Sequence, residues 1–109
     1  MKVEYTSYFT DLLSQLEEID QDKIKNILSE LEQATIQNSS EFEHYIRTKG
    51  LYIARTRKLD SVKRYTYLIR IDEDIRLLIK IENDTLIIDS LIYRNSFLDN
   101  YLHGGDTQR

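Results

Sequence analysis

The sequence predicts an α+β domain. It is read as an N-terminal strand, an antiparallel helical hairpin, and a twisted, mainly antiparallel sheet with the helices on one face and a short C-terminal helix. Three observations carry this reading. Apolar residues recur at helical spacing from Tyr8 to Ala34, the pattern of amphipathic helices. From Tyr65 to Ile81 (YTYLIRIDEDIRLLIKI) they alternate strictly with other residues on both sides of an acidic break, the signature of two half-buried strands joined as a hairpin. The change of period falls near residue 50, so helices and strands are segregated along the chain rather than interleaved.

Lys2 to Thr6 (KVEYT) alternates Val3 and Tyr5 with charge and reads as a strand. Thr6 or Ser7 can cap the helix that follows by accepting a bond from a free N–H of its first turn. Tyr8, Phe9, Leu12, Leu13, Leu16 and Ile19 mark one face of that helix, and Asp20 and Asp22 suit both the turn and the start of the next. The second helix carries the stripe Ile24, Ile27, Leu28, Leu31 and Ala34, and Gln37, Asn38, Ser39 and Ser40 end it. Both stripes are core positions, not a cofactor pocket. Glu41 to Arg47 reads as a short helix presenting Phe42, Tyr45 and Ile46, with Gly50 as its stop. Leu51, Ile53 and Leu59 then suggest an irregular edge strand. Its Arg55, Arg57 and Lys58 would discourage edge-to-edge pairing even without any other role.

If Asp72, Glu73 and Asp74 form a three-residue loop, Ile71 faces Ile75 and Arg70 faces Arg76 across the ladder. That register sends Tyr65, Tyr67, Ile69, Ile71, Ile75, Leu77, Ile79 and Ile81 into the core. Thr66, Leu68, Arg70, Arg76, Leu78 and Lys80 take the other face. Directly opposed like charges cost a few tenths of a kcal/mol, up to about 1. Such a pair is either neutralised by an acid or used on an anion. Glu82–Asn83–Asp84 makes the next turn, and Thr85 to Arg94 (TLIIDSLIYR) is apolar on both parities, which predicts a central strand covered on both faces. A two-residue turn would place Asp89 opposite Leu78 on the arginine face, making it the candidate neutralising acid. Asn95 or Ser96 can cap a last short helix with Phe97, Leu98, Tyr101 and Leu102, ended by Gly104 and Gly105. Residues 1–105 are expected to form the single domain and 106–109 a disordered tail.

With 109 residues the chain holds one core and is too short for two. A hydrophobic fraction of 40% and a charged fraction of 31% fit a soluble globular domain. There is no cysteine, which excludes disulfides, thiolate nucleophiles and thiolate metal sites. Apolar runs reach only three or four residues, far short of a membrane span, and MKVEYTSYF has no apolar stretch like a secretory signal. A cytoplasmic location is expected. Gly50, Gly104 and Gly105 are the only glycines and make no phosphate-binding loop. His44 and His103 stand at unrelated places, which argues against a histidine metal site or a triad. No metal or cofactor is expected. The net charge of −4 is uneven: residues 1–46 carry −7, 47–80 carry +6 and 81–109 carry −3. The basic middle either neutralises the acidic helices or forms a face for an anionic partner.

The order strand, helix, helix and a run of antiparallel strands resembles the RelE/ParE superfamily of bacterial toxins, over nearly the whole chain. The most specific part is Lys58 to Ile81, KLDSVKRYTYLIRIDEDIRLLIKI. There a leucine, a turn, a Y-x-(I/L)-R-(I/V) strand, a short loop and a strand opening with arginine follow each other as in that family. DTLIIDSLIYR is similar to the family's final strand, which ends in a basic residue before a segment carrying tyrosine.

The resemblance implies the toxin of a type II toxin–antitoxin system, acting as a metal-independent, ribosome-associated mRNA endoribonuclease (an mRNA interferase). Carried over, it implies a catalytic set of Arg70, Arg76, Arg94 and Tyr101. It implies RNA contacts from Arg55, Arg57, Lys58, Lys63, Arg64 and Lys80, and a cognate antitoxin, acidic or amphipathic, that folds on binding. Guanidinium groups can stabilise the developing phosphorane charge without a metal, and an aromatic ring can stack on a splayed base. Leu68 stands where RelE-like enzymes often carry a lysine, and no His or Glu takes a general-base position on the sheet. Two alternatives stay open. One is a ParE-like toxin that acts on DNA gyrase without nuclease chemistry; the other is a non-catalytic module whose basic face docks an acidic protein.

Overall fold

The computed structural model describes residues 1–55 and 64–93. In chain order these form β1 (Lys2–Tyr5), α1 (Ser7–Ser14), α2 (Glu18–Gln33), α3 (Ser39–Thr48), β2 (Tyr52–Arg55), β3 (Arg64–Arg70), β4 (Ile75–Glu82) and β5 (Thr85–Tyr93). The strands make one five-stranded sheet in the order β1-β5-β4-β3-β2. β1 joins β5 parallel, and the other neighbours run antiparallel. The class is α+β with an N-terminal strand, as expected. The proposed C-terminal helix and the tail at 106–109 lie outside the described residues.

Local sequence explains most boundaries. Thr6 Oγ1 accepts a bond from the Phe9 N–H at 3.0 Å and so caps α1. The same hydroxyl donates to the Asp89 carbonyl at 2.7 Å, so one side chain joins the helix start to β5. α1 is shorter than its apolar spacing predicts. Ile19, expected on its face, belongs to α2 and is 71% exposed. Asp20 and Asp22 lie inside α2 rather than in the connecting turn. Glu18 and Asp20 occupy the first turn, where acids suit the positive end of the helix dipole. Asn38, expected to end α2, instead starts α3 by accepting the Glu41 N–H at 2.9 Å. Gly50 follows α3 with φ 77°, the left-handed stop that glycine adopts without a Cβ penalty.

The hairpin register is the one the loop length predicts. Arg70 pairs with Arg76, and the Ile71 N–H donates to the Ile75 carbonyl at 2.9 Å across the loop. Tyr67, Ile69, Ile71, Ile75, Leu77, Ile79 and Ile81 are buried in one cluster with Phe9, Ile24, Leu28, Leu31, Phe42 and Ile46 of the helices. The helices therefore cover one face of the sheet. Asn83 and Asp84 take φ of 46° and 63°, the left-handed pair of a two-residue hairpin turn, and Glu82 pairs with Thr85.

β5 departs from expectation. Ile79 pairs with Ile88 and Leu78 with Ser90, so Asp89 is an extra residue in a bulge. The bulge shifts the inward parity. Leu86 and Ile88 face the helices before it, and Leu91 and Tyr93 pair with core-facing Leu77 and Ile75 after it. Apolar residues on both parities thus reflect one buried face that changes register, not a strand covered on both sides. Ile92, on the other face, is 36% exposed. No helix of the described residues is long and apolar enough to cross a membrane.

Candidate functional site

The face of the sheet turned away from the helices is built by the alternate residues of each strand. One row crosses it from Tyr52 of β2 through Arg70 of β3 and Arg76 of β4 to Ile92 of β5. The next row runs Ala54, Leu68, Leu78 and Ser90. An arginine pair is therefore flanked by apolar positions on a surface that no described element covers. Directly paired side chains stand about 5 Å apart at Cβ, close enough for Arg70 and Arg76 to share one anion.

The two arginines differ in what holds them. Arg76 Nη1 donates to the carbonyls of Asp72 at 2.9 Å and Glu73 at 3.2 Å, so its guanidinium is folded back onto its own loop. Arg70 is exposed and makes no hydrogen bond or ion pair among the described residues. The loop is itself pinned. Asp72 Oδ1 accepts the N–H groups of Asp74 at 2.8 Å and Ile75 at 2.9 Å, while Oδ2 accepts Lys23 Nζ of α2 at 2.7 Å. Burial disfavours the Asp72 carboxylate, but the Lys23 ammonium and the two N–H groups outweigh it and hold its pKa below the ordinary 3.8.

Asp89 does not neutralise the arginines. The bulge removes it from the position opposite Leu78, and its Oδ1 lies 3.6 Å from Lys80 Nζ. Lys80 is thus on the outer face as expected, but already paired. Arg55 is on the opposite side of the sheet from Arg70. It pairs in register with buried Tyr67, sits over the Tyr65 ring at 5.4 Å and lies 3.9 Å from Glu43 of α3. A strand alternates its faces, and Tyr52 and Ala54 take the outer positions of β2. Arg47 and Lys49, from the same basic stretch, are also on the helix side and meet Glu43 at 3.4 Å and Glu30 at 2.9 Å. The basic middle of the chain is therefore divided between two surfaces. Arg64 opens β3, paired in register with Glu82. Arg57, Lys58, Lys63, Arg94 and Tyr101 lie outside the described residues.

Two features escaped the sequence reading. Tyr52 continues the arginine row, and its alternation with Ile53 was the available signal. The tie from Lys23 to Asp72 spans 49 residues and leaves no local trace. Among the described residues no group of three metal-ligating side chains is assembled.

Neither a protein-family model nor a curated protein matches the sequence. Solved structures do match in three dimensions. A RelE–RelB complex from the archaeon Pyrococcus horikoshii OT3 contains a chain with TM-score 0.61 and 16% identity, covering 85% of this chain and 93% of that one. A RelB–RelE antitoxin–toxin complex from Methanococcus jannaschii contains another with TM-score 0.59 and 21% identity, covering 88% of this chain and 95% of that one. The overall fold is therefore that of these RelE-type neighbours.

Proposed function

We propose that this chain is the toxin of a type II toxin–antitoxin pair and acts as a metal-independent endoribonuclease on mRNA at the ribosome. The observation that carries the reading is the Arg70–Arg76 pair, placed in register on the open face of a RelE fold with Arg70 free of any described acid. In such cleavage the 2′-oxygen attacks the neighbouring phosphorus and the bond to the 5′-oxygen breaks. A 2′,3′-cyclic phosphate and a 5′-hydroxyl result; the 2′-hydroxyl loses a proton and the leaving oxygen gains one. Charge builds on the phosphorane oxygens between these events, and paired guanidinium groups stabilise it. No histidine is among the described residues of the outer face, and Asp89 is held by Lys80. Proton transfer in this reading falls to groups beyond the described residues, with Arg94 and Tyr101 completing the set that the resemblance implies.

The same face is cationic at Arg70 and apolar at Leu68, Leu78 and Ile92, which suits a covering segment with acidic and apolar side chains. We assign that role to a cognate antitoxin; both solved neighbours were captured as RelE–RelB complexes. Leu68, on the arginine face where RelE-like enzymes often carry a lysine, favours one second reading, a toxin of the same fold that inhibits DNA gyrase. Induced expression with mapping of RNA 5′ ends, beside a gyrase supercoiling assay, separates the two. New 5′ ends within translated mRNA that vanish in Arg70→Ala are expected. Inhibited supercoiling without new RNA ends would replace the nuclease by the gyrase reading.

A further inference from the structure

The arginine row ends in a tyrosine whose ring stacks on no described residue. Tyr52 is 68% exposed, the most exposed large apolar side chain on any described strand. The other tyrosine rings of the sheet and α3 are engaged: Tyr65 by Arg55, Tyr45 by Lys49, Tyr67 by Phe42 and Tyr65, and Tyr5 by Phe9, while Tyr93 packs against the core. Tyr52 makes no ring or cation contact among the described residues. Its register partner is Arg70, the arginine without an acid, and Ala54, next on the same face of β2, leaves the flank of the ring open. An aromatic platform one strand away from a free guanidinium matches the layout of a nucleotide. One ribose separates a base from its phosphate, a reach comparable with the about 5 Å between paired side chains.

We propose that Tyr52 is the base-stacking residue of the outer face, and that it sets the register of a bound single-stranded RNA by seating one base so that the adjoining phosphate lies on Arg70. The inference rests on the RNA reading above and adds to it a positioning residue on the edge strand, outside the implied catalytic set. Stacking is tolerant of base identity, since every base has a π-face, so Tyr52 fixes position more than sequence. Arg70 contributes the ionic part, which salt screens, and Tyr52 the part that salt leaves alone.

The test measures binding of a short single-stranded RNA by the full chain across a salt series, for the parent protein, Tyr52→Ala, Tyr52→Phe and Arg70→Ala, with thermal melts of each. Tyr52→Ala is expected to weaken binding by about fivefold to a hundredfold with the salt slope unchanged, and Tyr52→Phe to restore it. Arg70→Ala should flatten the slope by about 0.7, the value of one phosphate contact on a single strand. The chain has no tryptophan, so Tyr52→Trp supplies a single indole whose fluorescence RNA should quench. If Tyr52→Ala binds like the parent while Arg70→Ala loses slope, the stacking role is overturned and the RNA reading stands. If the parent protein binds no RNA, both fall together. If Tyr52→Ala flattens the slope as Arg70→Ala does, Tyr52 supports the arginine instead of a base, and the proposal is again overturned.

Discussion

The two faces of the sheet come from the same strands, yet they treat cationic side chains differently. On the helix side, Arg47 and Arg55 both reach Glu43, and Lys49 reaches Glu30. Tyr67 adds its hydroxyl to Glu43 at 2.7 Å, so one carboxylate gathers two cations and a phenol between α3 and the sheet. Burial and that carboxylate push the Tyr67 hydroxyl above its ordinary pKa of 10.0. Among the described residues of the outer face, Lys80 has Asp89, Arg76 has only backbone carbonyls, and Arg70 has neither. Where a charge serves packing, the fold supplies its counter-charge. The outer row keeps two arginines in facing register, with Arg76 folded onto its loop, which is a reason to look for an anionic ligand at Arg70.

Substitutions on the two faces should therefore separate stability from activity. The largest expected effect is on the helix side. Phe42 is fully buried with its ring edge-on to Tyr67 at 5.4 Å, and Phe42→Ala should cost about 3–5 kcal/mol in a denaturant melt. A loss under about 1 kcal/mol would mean that α3 is not part of the core. Glu43→Ala comes next, since it strands the buried Tyr67 hydroxyl, and about 1–3 kcal/mol should be lost. Tyr67→Phe, which removes both the donor and the need for the acceptor, should cost less.

Asp72 sits between the two faces, and its effect should depend on pH. Its pKa is held down in the folded chain, so its contribution is complete above the ordinary 3.8 and disappears as pH falls through the lower folded value. Asp72→Ala should remove about 1–2 kcal/mol at neutral pH, and the gap to the parent should close in acid. Asp72→Asn can still accept an N–H and should lose less. A gap independent of pH down to strong acid would show that the carboxylate charge is not what holds the loop.

The smallest stability effect belongs to the outer face. Arg70→Ala should change the melt by less than about 0.5 kcal/mol, in either direction, while growth inhibition or RNA affinity falls. Arg76→Ala should cost slightly more, because it also gives up the bonds to the Asp72 and Glu73 carbonyls. If Arg70→Ala melts several kcal/mol lower and toxicity merely follows, the pair is structural and the contrast between the faces fails.

Patterns that local spacing encodes were legible from the residues alone. Alternation from Tyr65 to Ile81 sorts the two faces of the hairpin, because a strand must send successive side chains to opposite sides. The three-residue loop then brings Arg70 opposite Arg76, and the left-handed tolerance of Asn83 and Asp84 gives the next turn. Thr6 as the cap of α1 and Gly50 as the stop after α3 follow from the same local chemistry. What no window of sequence carries is which distant group meets which. The bulge at Asp89 arises where β5 must satisfy β4 on one side and the Thr6 hydroxyl on the other, and it hands Asp89 to Lys80 rather than to the arginines. Arg55 and Tyr52 are separated onto opposite faces by the pairing of β2 with β3, so the basic run of the sequence is not one basic surface. Charge partners are chosen by packing between elements far apart in the chain, and packing is a property of the assembled sheet and helices.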